Sequence, residues 1–299
     1  MAEKYSDIIC PDTMSTDFDT YNFLLEQAKK VRDSKSAIIY VWNFSDTTKL
    51  ETSILAFLAS LFEELRKRDK GIVVRIKGKL FINFDYSILE LYNYYTNDNR
   101  AFFKVRHIGK SYKDDTENIQ TKYIKNLKLV ENERVKLLIS ELIANINMHT
   151  KQHSGIISAY NKRNTELVIT ITNSDVTIAE NINKHLPLKL KSDYEAIMWA
   201  LKKTNSTDNS NRSGGLGLYL LRKLINLLNG RFSILSGKCY LLFDGSSYDE
   251  TDEDKINYIE YKQLSNSYSG NVFDLYLPYT VGDSVEQTSA IRDVDLLKL

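Results

Sequence analysis

The chain has 299 residues, of which 42% are hydrophobic and 26% charged, with Lys+Arg 40 against Asp+Glu 39 and a formal charge of +1. This is the composition of a globular protein, long enough for two modest domains or one large one. The balanced charge excludes a bulk electrostatic case for binding nucleic acid or a membrane surface.

Met1 to Asp7 is polar and no apolar run follows it, so no signal peptide is expected. The two cysteines, Cys10 and Cys239, are expected to be unpaired, as in a reducing compartment. Asp17 to Arg32 carries apolar residues at Phe18, Tyr21, Leu24, Leu25, Ala28 and Val31, the spacing of an amphipathic helix. Ala37 to Phe44 reads as a buried strand. Thr52 to Arg68 reads as a helix capped by Thr52 or Ser53, with Arg66, Lys67 and Arg68 near its C-terminus. The longest apolar stretch, around Ile54 to Phe62, falls far short of the ~20 residues a membrane helix needs. A soluble, cytoplasmic protein is therefore expected. Ile72 to Ile76 reads as a second strand and Tyr86 to Tyr95 as a further helix. Helix and strand thus alternate here, which implies an α/β layer.

Gly109 to Asn118 is polar and charged and marks an expected boundary. The division is then an α/β domain over 1–110, a second domain over 111–280 and a tail over 281–299. A helix near Asn118 to Leu127 leads into the second domain. Glu133 to His149 is a helix with an apolar stripe at Val135, Leu138, Leu142 and Ile146. Gly155 to Tyr160 and Glu166 to Thr172 read as a hairpin around the turn-like Asn161 to Asn164. Asp193 to Lys203 is helical, Thr204 to Ser213 is a polar loop, and Leu216 to Asn229 is a helix closed by Gly230. Arg231 to Leu235, Cys239 to Phe243 and Val272 to Leu277 read as strands. The fold class is α+β, with helices on a mixed, mostly antiparallel sheet in the second domain.

Two pieces carry chemistry. Glu141, Asn145 and His149 follow at four-residue spacing, on one face of their helix. The amide oxygen of Asn145 is a hard ligand suited to Mg²⁺, and the carboxylate of Glu141 can take a proton from an attacking water. The same spacing also suits a solvated polar stripe. In the second piece, Ser213-Gly214-Gly215-Leu216-Gly217-Leu218, three glycines stand between a polar loop and an apolar helix. Glycine admits a phosphate close to the backbone, and a helix N-terminus offers free N–H groups.

Together the pieces resemble the GHKL superfamily of gyrase, heat-shock chaperones, MutL, histidine kinases and anti-sigma-factor kinases. Glu141-Leu-Ile-Ala-Asn145 resembles its N-box, E-x-x-x-N. Asn173-Ser-Asp175-Val-Thr177-Ile178 stands where the family has D-x-G-x-G-I, with Asp175 and Thr177 in place of the glycines. Gly215-Leu216-Gly217-Leu218 resembles the second glycine box. Ser269-Gly270-Asn271-Val-Phe273 resembles the G-T-x-F element. The four stand in the family's order between Asn118 and Pro278.

The resemblance implies a Bergerat-type α/β sandwich that binds ATP with Mg²⁺. It makes Asn145 the metal ligand and Glu141 the catalytic base. Asn173 or, two residues on, Asp175 becomes the adenine contact, with Ile178 beside it. Arg212, Gly214, Gly215, Leu216, Gly217 and Leu218 become the phosphate-side residues, and Thr204 to Arg212 takes the place of the ATP lid. The first domain resembles a STAS domain through the pattern around Asn43 to Ser53, which sets Thr52 or Ser53 at the phosphoacceptor position. The expected function is Mg²⁺-dependent ATP binding with slow hydrolysis that signals to a partner protein or within a homodimer. An anti-sigma-type serine/threonine kinase and a non-hydrolytic interaction module are the alternatives.

Overall fold

A computed structural model describes residues 5–34, 39–68, 73–77, 101–108, 133–149, 155–162, 166–203, 205, 217–249, 251–252 and 255–278. The expected helices over Tyr86 to Tyr95 and Asn118 to Leu127 lie outside these residues. So do the tail and, apart from Asn205, the loop Thr204 to Ser213.

The N-terminal part alternates as expected. Strand β1 (Tyr5–Ile9) is followed by a two-residue strand β2 (Thr13–Met14) and helix α1 (Phe18–Asp33). Strand β3 (Ile39–Asn43), the short β4 (Lys49–Leu50), helix α2 (Thr52–Arg68) and strand β5 (Val73–Lys77) follow. Strands β1, β3 and β5 form a parallel sheet in that order, and β2 pairs with β4 in parallel. Parallel neighbours need crossovers, and two successive crossovers to the next strand set both helices on one face. The Asp17 carboxylate caps α1, accepting from the Thr20 N–H.

The expected cap of α2 is corrected. The helix begins at Thr52, so Glu51 precedes it, and Ser53 lies inside the first turn. Ser53 is fully buried and shares a hydrogen bond with the Thr16 hydroxyl, while the Glu51 carboxylate accepts from the Thr16 N–H and hydroxyl.

The remaining chain builds strand β6 (Ala101–Ile108), helix α3 (Glu133–His149), the hairpin β7 (Gly155–Lys162) and β8 (Glu166–Asn173), and helices α4 (Ile178–His185), α5 (Asp193–Ala200) and α6 (Gly217–Leu227). Strand β9 (Arg231–Asp244), a 3₁₀ turn (Gly245–Ser247) and strand β10 (Glu260–Pro278) complete it. Five strands form one sheet in the order β6-β7-β8-β10-β9, antiparallel at every described pairing. The sheet expected here as mixed is therefore antiparallel among the described residues. Strand β6, which falls before residue 110, is one of its edges. The segments expected as strands at Arg231 and Cys239 are the two arms of β9, which folds back at Gly237 (φ +59°), so that the Phe232 and Phe243 rings stack at 4.5 Å; a Cβ at Gly237 would collide with the Asp193 carboxylate. Helix α6 ends at Leu227 rather than Asn229. Asn229 takes the left-handed conformation (φ 50°), and the Gly230 N–H reaches back to the Ile225 carbonyl.

Period-2 alternation gives the large sheet two buried faces. Leu167, Ile169, Ile171, Phe273, Leu275, Phe232 and Ile234 pack with α3, α5 and α6. The opposite face, including Leu235, Tyr240, Tyr268 and Val272, packs with α1 and α2. Helix α2 is thus held between two sheets, which is why Ile54 to Leu58 are all buried rather than forming a single apolar stripe. Its Phe57 ring meets Tyr268 at 5.0 Å, and its Phe62 ring meets Trp42 of β3 at 5.1 Å. Among the described residues no helix is long and apolar enough to cross a membrane.

The seam between α1 and the large sheet contains a carboxylate. Asp274 on β10 is 1% exposed and accepts from the hydroxyls of Tyr21 (2.8 Å), Thr170 (2.6 Å) and Ser233 (2.8 Å). Burial raises its pKa to about 6; the three hydroxyls oppose the rise and the charge of Glu51 adds to it. Tyr21, Tyr240 and Tyr276 are the neighbouring titratable side chains. Because the folded-state pKa lies above the unfolded one, the folded chain binds this proton more tightly. The contribution of Asp274 is most favourable below pH ~4, declines as pH rises through about 6, and is level above. The interval between 3.8 and about 6 corresponds to about 3 kcal/mol. Asp274→Asn is therefore expected to gain up to that amount relative to wild type between pH 4 and pH 7. Urea unfolding of both proteins across this range measures it. A constant difference between them would show that the charge is already compensated.

Candidate functional site

The ladders set Asn173 and Asn271 side by side at one end of the large sheet. In the ladders, Ile156 stands opposite Thr172, Asn173 opposite Asn271, and Asn271 opposite Ser236. Helix α3 returns to β7 through residues 150–154 alone, so its C-terminal half, with Asn145, lies toward this end. Helix α6 has 11 residues, about 16 Å of rise. It enters β9 at Arg231, which stands opposite Tyr276 at the far end. Its first residue, Gly217, therefore stands about 16 Å of helix away from that end, and its N-terminal N–H groups are those of a helix start. Helices α3 and α6 pack against each other over the same face.

On α3, the buried Leu142 and Ile143 fix the helix against the core and leave Glu141 and Asn145 half-buried on its flank. Burial holds the Glu141 carboxyl above the ordinary carboxylate range. The Nδ2 of Asn145 is buried and, among the described residues, has no hydrogen-bond partner. A buried donor without a partner is costly, and an acceptor oxygen of a ligand would satisfy it. A half-turn of the carboxamide presents its oxygen instead, a hard ligand of the kind Mg²⁺ takes. Helix α3 ends at His149, which completes the stripe only along the backbone.

At the end of β8 the chain turns through Ser174 and Asp175 into α4. Thr177 caps that helix in a capping box with Glu180. Asn173 is 2% exposed; its Oδ1 accepts from Asn271 Nδ2 (3.1 Å) and its Nδ2 donates to the Val176 carbonyl (3.4 Å). Both ends of its amide are thus held within the protein, and Asp175 is half-buried in the bend. The Ile178 N–H donates to Ser236 Oγ (3.0 Å) and Asn271 Oδ1 (3.1 Å). Leu218 packs against the core, and Arg212, Gly214, Gly215 and Leu216 lie outside the described residues.

The chain matches no known family and no curated protein.

Sequence reasoning passed over Asn271 as a site residue. Its carboxamide ties Asn173, Val176 and Ile178 together. Gly270 permits the approach, because a Cβ there would run into the Asn173 carbonyl. A glycine followed by an amide just before a β-rich run was the available signal. It also passed over Ser236, whose hydroxyl lies on β9, 58 residues from Ile178.

Proposed function

We propose that the chain binds ATP with Mg²⁺ at this end of the large sheet and hydrolyses it slowly. The observation that carries the reading is the buried Nδ2 of Asn145, unpartnered among the described residues, one helical turn from a half-buried carboxylate. The contact between Asn173 and Asn271 supports it, because it joins two of the four GHKL-like elements across 98 residues of sequence. On this reading the layers from β6 onward are a Bergerat-type sandwich and the N-terminal layer is STAS-like.

Asn145 holds the metal through its amide oxygen, and the N-terminus of α6 faces the phosphates. Asn173 at the end of β8 or Asp175 in the turn after it takes the adenine amine. Glu141 accepts the proton of a water that its carboxylate orients. Bound Mg²⁺ supplies neutralisation of charge on the transferring phosphoryl group. Ser53, fully buried and bonded to Thr16, is closed off as a phosphoacceptor in this arrangement.

Asn145→Ala is expected to lower affinity for Mg-ATP by more than about tenfold and to remove its dependence on Mg²⁺. Calorimetric titration with ATP, with and without Mg²⁺, measures both. If wild type and variant bind equally, Asn145 is not the metal ligand. If wild type does not bind at all, the interaction-module reading replaces this one.

A further inference from the structure

We infer that Tyr268 links the candidate nucleotide site to α2, so that the N-terminal layer is the receiver of the site's state. The inference rests on the nucleotide reading for the identity of the ligand, and on geometry alone for the link. Tyr268 is fully buried on β10. Its hydroxyl lies 2.7 Å from Ser60 Oγ on α2 and 3.1 Å from Thr172 Oγ1 on β8. Thr172 directly precedes Asn173. The next residue along, Ser269, donates to Glu64 of α2 (3.2 Å), which also takes Arg32 of α1 at 3.1 Å. Two residues further, Asn271 holds Asn173, Val176 and Ile178. Residues 268–271 therefore grip α2 at one end and the turn of 173–178 at the other.

Two features make this grip movable rather than merely structural. Strand β10 leaves its register with β9 between Gln263 and Tyr268, and again between Tyr268 and Asn271. Where the ladder is interrupted, a local shift breaks few backbone bonds. The three hydroxyls of Ser60, Tyr268 and Thr172 also form a chain that can run in either direction. Each hydroxyl has one proton, so a change of role at Thr172 reverses the role of Tyr268 and then that of Ser60. This gives the two discrete arrangements that transmission between sites requires.

Amide hydrogen exchange on the full chain tests the link, and the first comparison needs no ligand. Tyr268→Phe keeps the ring against Phe57 and removes both hydroxyl bonds; Ser60→Ala removes one end. Each is expected to speed exchange in residues 173–182 by at least about threefold, and the double variant by no more than Tyr268→Phe alone. If Ser60→Ala alters α2 while 173–182 is unchanged, the link does not exist. The second comparison adds Mg-ATP. In wild type, slower exchange at 173–182 is expected to be accompanied by slower exchange in α2. In Tyr268→Phe, with Mg-ATP affinity close to wild type, the α2 response is expected to vanish. An α2 response that survives in Tyr268→Phe overturns the inference. If direct titration finds no Mg-ATP binding, the nucleotide reading falls on its own and the ligand-free comparison decides the link. Should Tyr268→Phe fold poorly, Thr172→Val makes the same break from the β8 side.

Discussion

Glu141→Gln is expected to slow ATP turnover by about 10²–10⁴ while leaving ATP binding close to wild type. Gln keeps the size and the hydrogen-bonding reach of Glu but cannot accept a proton at neutral pH. The contribution lost is therefore confined to the proton transfer. Burial raises the pKa of Glu141, which makes its carboxylate a stronger base than an exposed one. The acting form is the ionised one, so turnover by wild type should fall as pH is lowered through the raised value. The variant should lack that limb. Phosphate release under saturating Mg-ATP gives kcat, and calorimetry gives the affinity. Equal kcat in the two proteins would assign the base elsewhere. No turnover by wild type above background would leave a nucleotide switch rather than an ATPase.

How much of this was legible in sequence follows from the range of each interaction. Helix α3 and helix α2 matched their expected bounds because their apolar spacing and terminal residues are local signals. The hairpin β7–β8 was legible for the same reason. Helix α4 was missed, since its eight residues carry little apolar spacing and its capping box at Thr177 lies inside a stretch read as a glycine-box relic. The spacing of Glu141 and Asn145 was visible, but the buried amide of Asn145 was not, because burial is a property of the packed helix.

The largest shortfall concerns the two buried faces of the sheet. Strand β8 reads Leu-Val-Ile-Thr-Ile-Thr-Asn from Leu167. Alternation sets its threonines on the face opposite Leu167, Ile169 and Ile171. They are buried, and their partners Asp274 and Tyr268 lie 104 and 96 residues away. A polar residue on a strand reports a need for partners and not where they are. The packing of α1 and α2 onto this face follows from residues such as Tyr21, whose hydroxyl reaches Asp274 across 253 residues. The expected break at 110 is a local polar stretch, whereas the contacts that join the layers are long-range.

Arg222→Met is expected to destabilise the fold by about 3–5 kcal/mol. Arg222 lies on α6 and is 0% exposed, among the largest fully buried side chains. Its guanidinium donates to three backbone carbonyls: Ser247 (3.1 Å), Leu201 (2.9 Å) and Lys255 (3.1 Å). It also lies over the Tyr248 ring, 5.9 Å from the centroid. These carbonyls belong to the 3₁₀ turn, the end of α5 and the segment before β10, none of which could satisfy them from its own ladder. Met fills the volume of the stem but supplies no donors, so the Ser247 and Leu201 carbonyls lose their partner in a buried place and the Lys255 carbonyl loses its partner in a half-buried one. Arg222→Lys supplies one compact charge without the planar fork, and is expected to recover only part of the loss. Chemical denaturation of the three proteins ranks them. If Met at this position is as stable as wild type, the carbonyls find water or other donors and the clamp is not a stabilising one. A drop in stability together with a loss of Mg-ATP affinity, in protein that is still folded at the assay temperature, would tie the clamp to the candidate site. The reason is geometric: α6 starts at Gly217 and its direction is set five residues on, where Arg222 fixes the helix to its surroundings.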